Sequence, residues 1–207
     1  MAGTTQAKKP MPTIGVDKYT FFKLLTDDEE GSTYDEAQGL PGTVEIAPTD
    51  SGETDVFDAD NGAYVVDAYV DKRGHDITNA DIPPEVDMEW RGLTAVNGMV
   101  QVKGDVVKAP YFAVAWRITK ADGTFRYVRY VKGTYSFASA VGGKTKPSQG
   151  ASEKQTAQAT FTAVARDCDK ICYEYIDSDK LPEGLTVAEV ETGWFSDPNY
   201  QPVKSAG

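Results

Sequence analysis

The chain has 207 residues, enough for one large domain, and its 40% hydrophobic and 26% charged residues are typical of a folded globular protein. With 32 acidic residues against 21 basic ones the formal net charge is −11. This charge argues against a protein that holds nucleic acid through its phosphates, which requires a basic patch. No apolar run is long enough to span a bilayer, and the first residues contain no apolar signal-peptide core, so membrane insertion and export are not expected.

The acidic residues are concentrated in one block. Residues 27–90 contain 19 acidic side chains against only Lys72 and Arg73, a local net charge of −17. A charge run of this size is typical of a solvated face. Cys168 and Cys172 would stand roughly 13 Å apart on one strand, at about 3.3 Å per residue, which is too far for a disulfide between them. Reduced thiols indicate synthesis in the cytosol.

The first third of the chain is predicted to contain an arm, a strand and a loop before the acidic strands begin. Residues 1–13, with Pro10 and Pro12, are predicted to form an extended N-terminal arm, and residues 14–25 a strand. Residues 26–40 are acidic and are predicted to form a long loop. Four strands are then predicted over residues 43–47, 54–57, 64–70 and 75–79, with a turn at Asn61-Gly62.

The middle of the chain carries the clearest patterns. A short helix is predicted over residues 83–93, because two prolines stand near its start and Val86, Trp90 and Leu93 follow at helical spacing. A strand over residues 98–103 follows. In residues 111–119 apolar side chains alternate with smaller or polar ones, and an Asp122-Gly123 turn leads to a second alternating run at residues 125–131. This arrangement predicts an antiparallel hairpin.

The last third repeats the pattern of strand, loop and strand. Strands are predicted over residues 134–138, 157–166 and 171–176, and a weaker helix over 187–191. Residues 140–155, rich in Gly, Ser, Lys and Thr, are predicted to form a second long loop, and residues 197–207 a C-terminal arm. The whole chain is therefore predicted to be one mainly β domain, residues 1–207, an antiparallel β-sandwich or split barrel with one short helix, long loops and terminal arms.

The sequence offers little that resembles catalytic chemistry. His75 is the only histidine, so metal sites built from several histidines are excluded, and neither a metal nor a cofactor is expected. A catalytic pair of His75 with Cys168 or Cys172 stays open, although thiols in strand-like runs are more often core residues. Gly142-Gly143-Lys144-Thr145 lacks the helix that a phosphate-binding loop opens, and Asp58 to Gly62 lacks the later ligands of a calcium loop. The chain is therefore not expected to be an enzyme.

Taken in order, several segments resemble the major tail proteins of long non-contractile-tailed bacteriophages that infect Gram-positive bacteria. The matching segments span nearly the whole chain: GVDKY at 15–19, LPG at 40–42, VEI at 44–46, FDADNG at 57–62, NADIP at 79–83, KGTYSF at 132–137, EKQT at 153–156 and ATFT at 159–162. Each is a short strand and turn pattern, and the resemblance rests on their order. An additional C-terminal Ig-like module, found in some members, is expected to be absent because the chain stops soon after Asp197-Pro198.

The resemblance implies a tail tube subunit of the virion, made and assembled in the host cytoplasm. Its subunits would form hexameric rings that stack into a tube through which genomic DNA leaves the capsid without specific binding, and its partners would be further copies of itself, the tape measure protein and the tail terminator. An acidic lumen would repel phosphates and let DNA slide. The lumen-lining candidates are Glu45, Glu53, Asp55, Asp67 and Asp71, and the candidates for contacts between subunits are Asp28, Glu30, Tyr34, Gly142, Lys144, Lys146 and Ser148.

Three other readings stay open. The tube protein of a contractile tail or of a secretion-type injection system would share the fold and the ring. A carbohydrate-binding or adhesion sandwich would use Trp90, Trp116 and Trp194 as a sugar platform, although Trp116 lies on an apolar strand face. A hydrolase is disfavoured because no set of nucleophile, base and orienting group is evident.

Overall fold

The computed structural model describes residues 9–59, 62–102, 108–138, 143–146, 148 and 154–203. Within these residues the chain is mainly β, as predicted, with two short α-helices and one turn of 3-10 helix at Ser178–Lys180. The elements in chain order are β1 (Thr13–Asp28), β2 (Gly31–Tyr34), β3 (Gln38–Gly39), β4 (Thr43–Pro48), β5 (Ser51–Ala59), β6 (Gly62–Asn79), α1 (Pro84–Arg91), β7 (Thr94–Val96), β8 (Met99–Gln101), β9 (Phe112–Lys120), β10 (Phe125–Ala138), β11 (Ala157–Ala163), β12 (Tyr173–Asp177) and α2 (Val187–Trp194).

Ten of the strands form one antiparallel sheet in the order β2-β1-β9-β10-β11-β6-β4, to which β3, β5 and β12 add as partners of β1, β6 and β10. The sheet curls so that β4 comes close to β1, but no ladder joins these two strands. The result is a split barrel that does not close. β7 and β8 form a separate small hairpin.

The predicted hairpin around Asp122-Gly123 is confirmed as β9 and β10. The Asp122 Oδ1 atom accepts hydrogen bonds from the backbone N–H and the hydroxyl of Thr124, at 3.1 and 2.6 Å, and Gly123 takes φ 79°, a backbone conformation that glycine adopts without strain. The alternation of β9 places Trp116 inside the barrel and Ala115 on the opposite face, against α2. The sheet is therefore buried on both sides.

Two helices complete the packing, at the positions where the sequence predicted a short helix and a weaker one. α1 starts with a proline in its first turn and ends at Gly92, which takes the left-handed conformation with φ 66°. Its Trp90 is buried and stacks on Tyr135 with ring centroids 3.7 Å apart. α2 begins with a capping box between Thr186 and Glu189, and it covers the second face of the sheet.

The prediction of a long loop over residues 26–40 was wrong. Strand pairing continues to Asp28 opposite Gly31, and the Asp28 Oδ1 atom accepts the backbone N–H of Glu30 at 3.0 Å, which closes a tight turn. Threonines on both sides favour the strands, so the acidic residues mark only the turn. Similarly, the strands predicted over residues 64–70 and 75–79 are parts of one strand, β6.

The predicted C-terminal arm is packed against the domain over its first residues. The buried guanidinium group of Arg129 donates hydrogen bonds to the backbone carbonyls of Asp197 and Tyr200, at 3.3 and 3.1 Å. The ring of Tyr200 lies so close to Gly193 that a Cβ atom there would stand 2.4 Å from it. The arm prediction was therefore wrong for residues 197–201, because long-range contacts hold them.

Candidate self-assembly surfaces

The most prominent surface feature is a two-stranded hairpin formed by β5 and the first part of β6. Its ladder runs from Ser51 opposite Lys72 to Ala59 opposite Gly62. Residues 51–56 and 65–72 are all exposed on both faces of this ribbon. A two-stranded hairpin without a third strand or a covering layer is marginally stable in water. We call this element the acidic hairpin.

The register of the acidic hairpin gives it two chemically distinct faces. Residues directly opposite each other on antiparallel strands share a face, and the next pair along lies on the other face. Glu53 opposite Tyr69 and Asp55 opposite Asp67 therefore make one face, which we call the acidic face. The other, which we call the valine face, carries the following pairs: Gly52 with Val70, Thr54 with Ala68, and Val56 with Val66.

The acidic face brings together three of the five residues predicted to line a lumen. Asp55 stands directly opposite Asp67, an arrangement that is unfavourable because like charges face each other. The Tyr69 hydroxyl donates a hydrogen bond to Glu53 Oε2 at 3.1 Å. The unfavourable pairing is tolerated because both carboxylates are exposed to water. The face is therefore negative between Glu53 and Asp67, and Val65, 41% exposed, continues it toward the tip of the hairpin.

The valine face is apolar and uncovered. Val56, Val66 and Val70 are 45%, 58% and 52% exposed, and they lie side by side on one face. A contiguous apolar patch on a soluble protein marks an interaction surface, unlike single exposed apolar residues. This patch is the feature of the acidic hairpin that most requires a partner.

The remaining predicted residues lie elsewhere. Glu45 is exposed on β4, and Asp71 lies at the bulge where the acidic hairpin joins the sheet. Of the candidates for contacts between subunits, Tyr34 donates its hydroxyl to the carbonyl of Val131 at 2.8 Å and Asp28 caps the turn described above, so both stabilise the fold. Other members of that set are exposed, namely Glu30, Lys144, Lys146 and Ser148. Gly142 lies outside the described residues.

His75 is a core residue. It is completely buried among aromatic rings, with the ring centroids of Trp116 and Phe161 at 4.8 and 5.1 Å. Its Nε2 atom is 2.9 Å from the hydroxyl of Tyr19, which is also 2.9 Å from the hydroxyl of Tyr135. Burial lowers the pKa of His75 to about 3. The imidazole is therefore held neutral, and solvent does not reach it.

The pKa of His75 predicts a specific acid sensitivity. The unfolded chain takes up a proton near pH 6.5, whereas the folded chain does so only near pH 3, so the free energy of unfolding should fall as the pH drops through this window. The expected slope approaches 1.4 kcal/mol per pH unit, roughly, well below pH 6.5. Urea unfolding between pH 7 and pH 4.5 measures it.

The matched variant is His75→Gln, whose amide can still bond Tyr19 but does not titrate. It should lack this slope, although its stability at pH 7 is lower. Asp27 and Asp177, with pKa values of about 2, and Glu191, whose pKa is also lowered, contribute their own loss of stability below about pH 5 in both proteins, so the difference between parent and His75→Gln isolates the part due to His75. An unchanged slope in His75→Gln would contradict the prediction.

The tryptophans do not form a sugar platform. Trp90, Trp116 and Trp194 are 0%, 4% and 2% exposed. Cys168 and Cys172 are free thiols, and burial raises the pKa of Cys172, which disfavours the reactive thiolate. The described residues contain no group of histidine, cysteine and carboxylate side chains that could hold a metal ion. None of the helices in the described ranges is long and apolar enough to cross a membrane.

Comparisons with known proteins give similarity of fold alone. No family model matches the sequence, and no curated protein matches it. Among solved structures, the chain is similar to the cap that terminates the tube of the anti-feeding prophage, solved by cryo-EM. The similarity covers 84% of this chain and 96% of the cap protein, with a TM-score of 0.41 and 13% sequence identity. Similarity at this level does not indicate a function.

Proposed function

We propose that this protein is a structural tail tube subunit of the virion that assembles into stacked hexameric rings, with an acidic lumen that conducts genomic DNA. The observation that carries the proposal is the acidic hairpin with its two unlike faces. A single chain leaves the valine face in water, and a second copy covers it. No catalytic role is assigned to any residue.

The surfaces of the acidic hairpin fit a tube on physical grounds. The valine face provides apolar area for contact between subunits, at about 25 cal/mol per Å² removed from water. The acidic face then lies toward the channel, where its carboxylates repel phosphates, so that no counterion-release affinity accumulates along the DNA. Glu45 and Asp71 extend the same negative lining.

The remaining partners follow from a tube of this kind. The tape measure protein occupies the channel before DNA passes, and the tail terminator binds the last ring. The basic loop with Lys144, Lys146 and Ser148 contacts neighbouring copies, and its Lys144 backbone is held by the side chain of Gln155 through hydrogen bonds of 2.6 and 2.8 Å. The whole chain, residues 1–207, acts as one tube domain.

Substitution on the valine face tests the proposal. The double variant Val66→Lys/Val70→Lys should sediment as a folded monomer at concentrations at which the parent assembles. The loss of two buried valines and the introduction of two charges should cost on the order of 5 kcal/mol per contact, which weakens association by roughly four-thousandfold. Sedimentation velocity measures assembly, and circular dichroism verifies the fold.

The matched control is Asp67→Lys/Tyr69→Lys, which places two lysines at neighbouring positions on the acidic face of the same strand. Tyr69 and Val70 are equally exposed, at 52%. The control should still assemble. If both variants assemble like the parent, the valine face is not a contact between subunits.

A further inference from the structure

A row of stacked aromatic rings runs from the core onto the surface of β12. The ring centroids are 5.6 Å apart for Trp116 and Tyr130, 5.3 Å for Tyr130 and Tyr173, and 6.4 Å for Tyr173 and Tyr175. Exposure rises along this row from 4% at Trp116 to 38% at Tyr173 and 61% at Tyr175. The apolar layer of the barrel therefore continues onto β12, where nothing covers it within the described residues.

Arginines flank the two exposed tyrosines. The guanidinium carbon of Arg73 lies 5.7 Å from the ring centre of Tyr173, and that of Arg126 lies 5.5 Å from the ring centre of Tyr175. Hydrogen bonds to Asp177 hold Arg126 in place, at 2.7 and 3.1 Å. We call Tyr173, Tyr175, Arg73 and Arg126 the tyrosine strip. Tyrosine and arginine are enriched at protein interfaces and among the residues that dominate their binding energy.

The backbone of β12 also has a free edge. β12 pairs with β10 on one side, and no strand of the described residues pairs with its other side. Unpaired main-chain groups beside exposed rings are a site where another chain can dock.

We propose that the tyrosine strip is the surface that receives the valine face of the acidic hairpin from a second copy of this chain. This inference rests on the proposed function and assigns the partner surface of the same contact. The contact is apolar at the centre, where valines meet Tyr173 and Tyr175. Residues 51–72 contain six acidic residues and one basic one, so the acidic hairpin as a whole is attracted to the side that carries Arg73, while Glu53, Asp55 and Asp67 stay on the opposite, acidic face.

The acidic hairpin of the same copy does not cover the strip. Lys72 ends the hairpin ladder, and the next residue, Arg73, contacts Tyr173, so the strip lies at the hairpin's own root. At about 3.3 Å per residue, Val70 lies roughly 10 Å and Val66 roughly 23 Å further along the extended strand. Val66 and Val70 are 58% and 52% exposed in the single chain, and Tyr173 and Tyr175 are exposed as well. A second copy therefore supplies the valine face.

Two different patches on one chain make a head-to-tail contact. Such a contact repeats from copy to copy, and it closes into a ring or continues as a helical filament. A patch that docked on the identical patch of a neighbouring copy would give a dimer that does not grow. The pairing of hairpin with strip thus accounts for the growth that a tube requires.

Mixing two assembly-defective variants tests this pairing. The hairpin variant is Val66→Lys/Val70→Lys, and the strip variant is Tyr175→Glu, with Arg73→Glu as a second strip variant. Each alone should stay monomeric at concentrations at which the parent assembles. When a strip variant and the hairpin variant are mixed in equal amounts, the intact hairpin of the strip variant should dock on the intact strip of the hairpin variant. The product should be a heterodimer that does not grow. Sedimentation velocity with one labelled variant measures this.

Each other outcome is informative. Strip variants that assemble like the parent overturn the pairing while the proposed function stands. Monomeric variants whose mixture gives no heterodimer show that the strip binds something other than the hairpin. Binding of a fluorescent single-stranded oligonucleotide that is lost in the strip variants would assign the strip to nucleic acid and overturn the pairing. A parent that never assembles overturns the proposed function, and the pairing with it.

Discussion

Replacement of Glu53, Asp55 and Asp67 by lysine is expected to turn assembled protein that does not bind DNA into protein that binds it in a salt-dependent way. These side chains share the acidic face, so the variant carries a continuous basic surface there. Each phosphate contact adds about 0.9 to the slope with which the logarithm of the affinity falls against the logarithm of the salt concentration. Binding through about six contacts should therefore weaken roughly a thousandfold as salt rises from about 50 to 200 mM. Fluorescence anisotropy with labelled duplex DNA measures this dependence.

The control variant reverses three charges elsewhere. Glu29, Glu30 and Glu36 are exposed between β1 and β3, and their replacement by lysine changes the net charge by the same amount. If assembled control protein binds DNA as strongly as the acidic-face variant, the position of the acidic face has no special role. Glu53→Gln/Asp55→Asn/Asp67→Asn, which removes charge without adding any, should leave binding weak.

Replacement of Arg129 by methionine is expected to destabilise the fold by about 3–5 kcal/mol. The Arg129 side chain is fully buried, donates to Glu174 and to two backbone carbonyls of the C-terminal segment, and lies 4.3 Å from the ring centre of Trp194. Without it, the two carbonyls lose this donor and the half-buried carboxylate of Glu174 keeps only the weaker hydrogen bond from Gln201 at 3.4 Å. Urea unfolding measures the loss.

The double variant Arg129→Met/Glu174→Gln removes both charges and should recover part of the stability, because the unpaired carboxylate is the main penalty. Limited proteolysis should also cut the C-terminal segment faster in Arg129→Met than in the parent. A loss below about 1 kcal/mol would show that the buried pair is nearly neutral for stability.

The sequence predicted those elements whose signals are local. The alternation and the Asp-Gly turn defined the hairpin of β9 and β10, and the order of strand patterns defined a mainly β fold. Three lumen candidates, Glu53, Asp55 and Asp67, do share one face. Their joint placement depends on the register across the turn, because a shift by one residue exchanges the faces of a strand.

Features set by distant contacts were not predictable from local patterns. Residues 197–201 have the composition of an arm, and contacts with residues distant in sequence hold them, among them Arg129 and the hydrogen bonds of Asn199 with Ser32 and Arg166. Tyr173 and Tyr175 were predicted to lie on a strand, yet nothing local shows that the strip is left uncovered. Residues 26–40 were interpreted as a loop because the acidic turn was more conspicuous than the threonines that pair across it.

Electron microscopy of the purified protein at high concentration tests the central claim most directly. Six-fold rings or tubes are expected, in which the acidic hairpin of each copy contacts its neighbour and its carboxylates line the channel. A tube with a basic or apolar channel, and with residues 51–72 on its outer wall, would contradict the electrostatic role. A protein that stays monomeric at every concentration, with the acidic hairpin free in solution, would contradict the account as a whole.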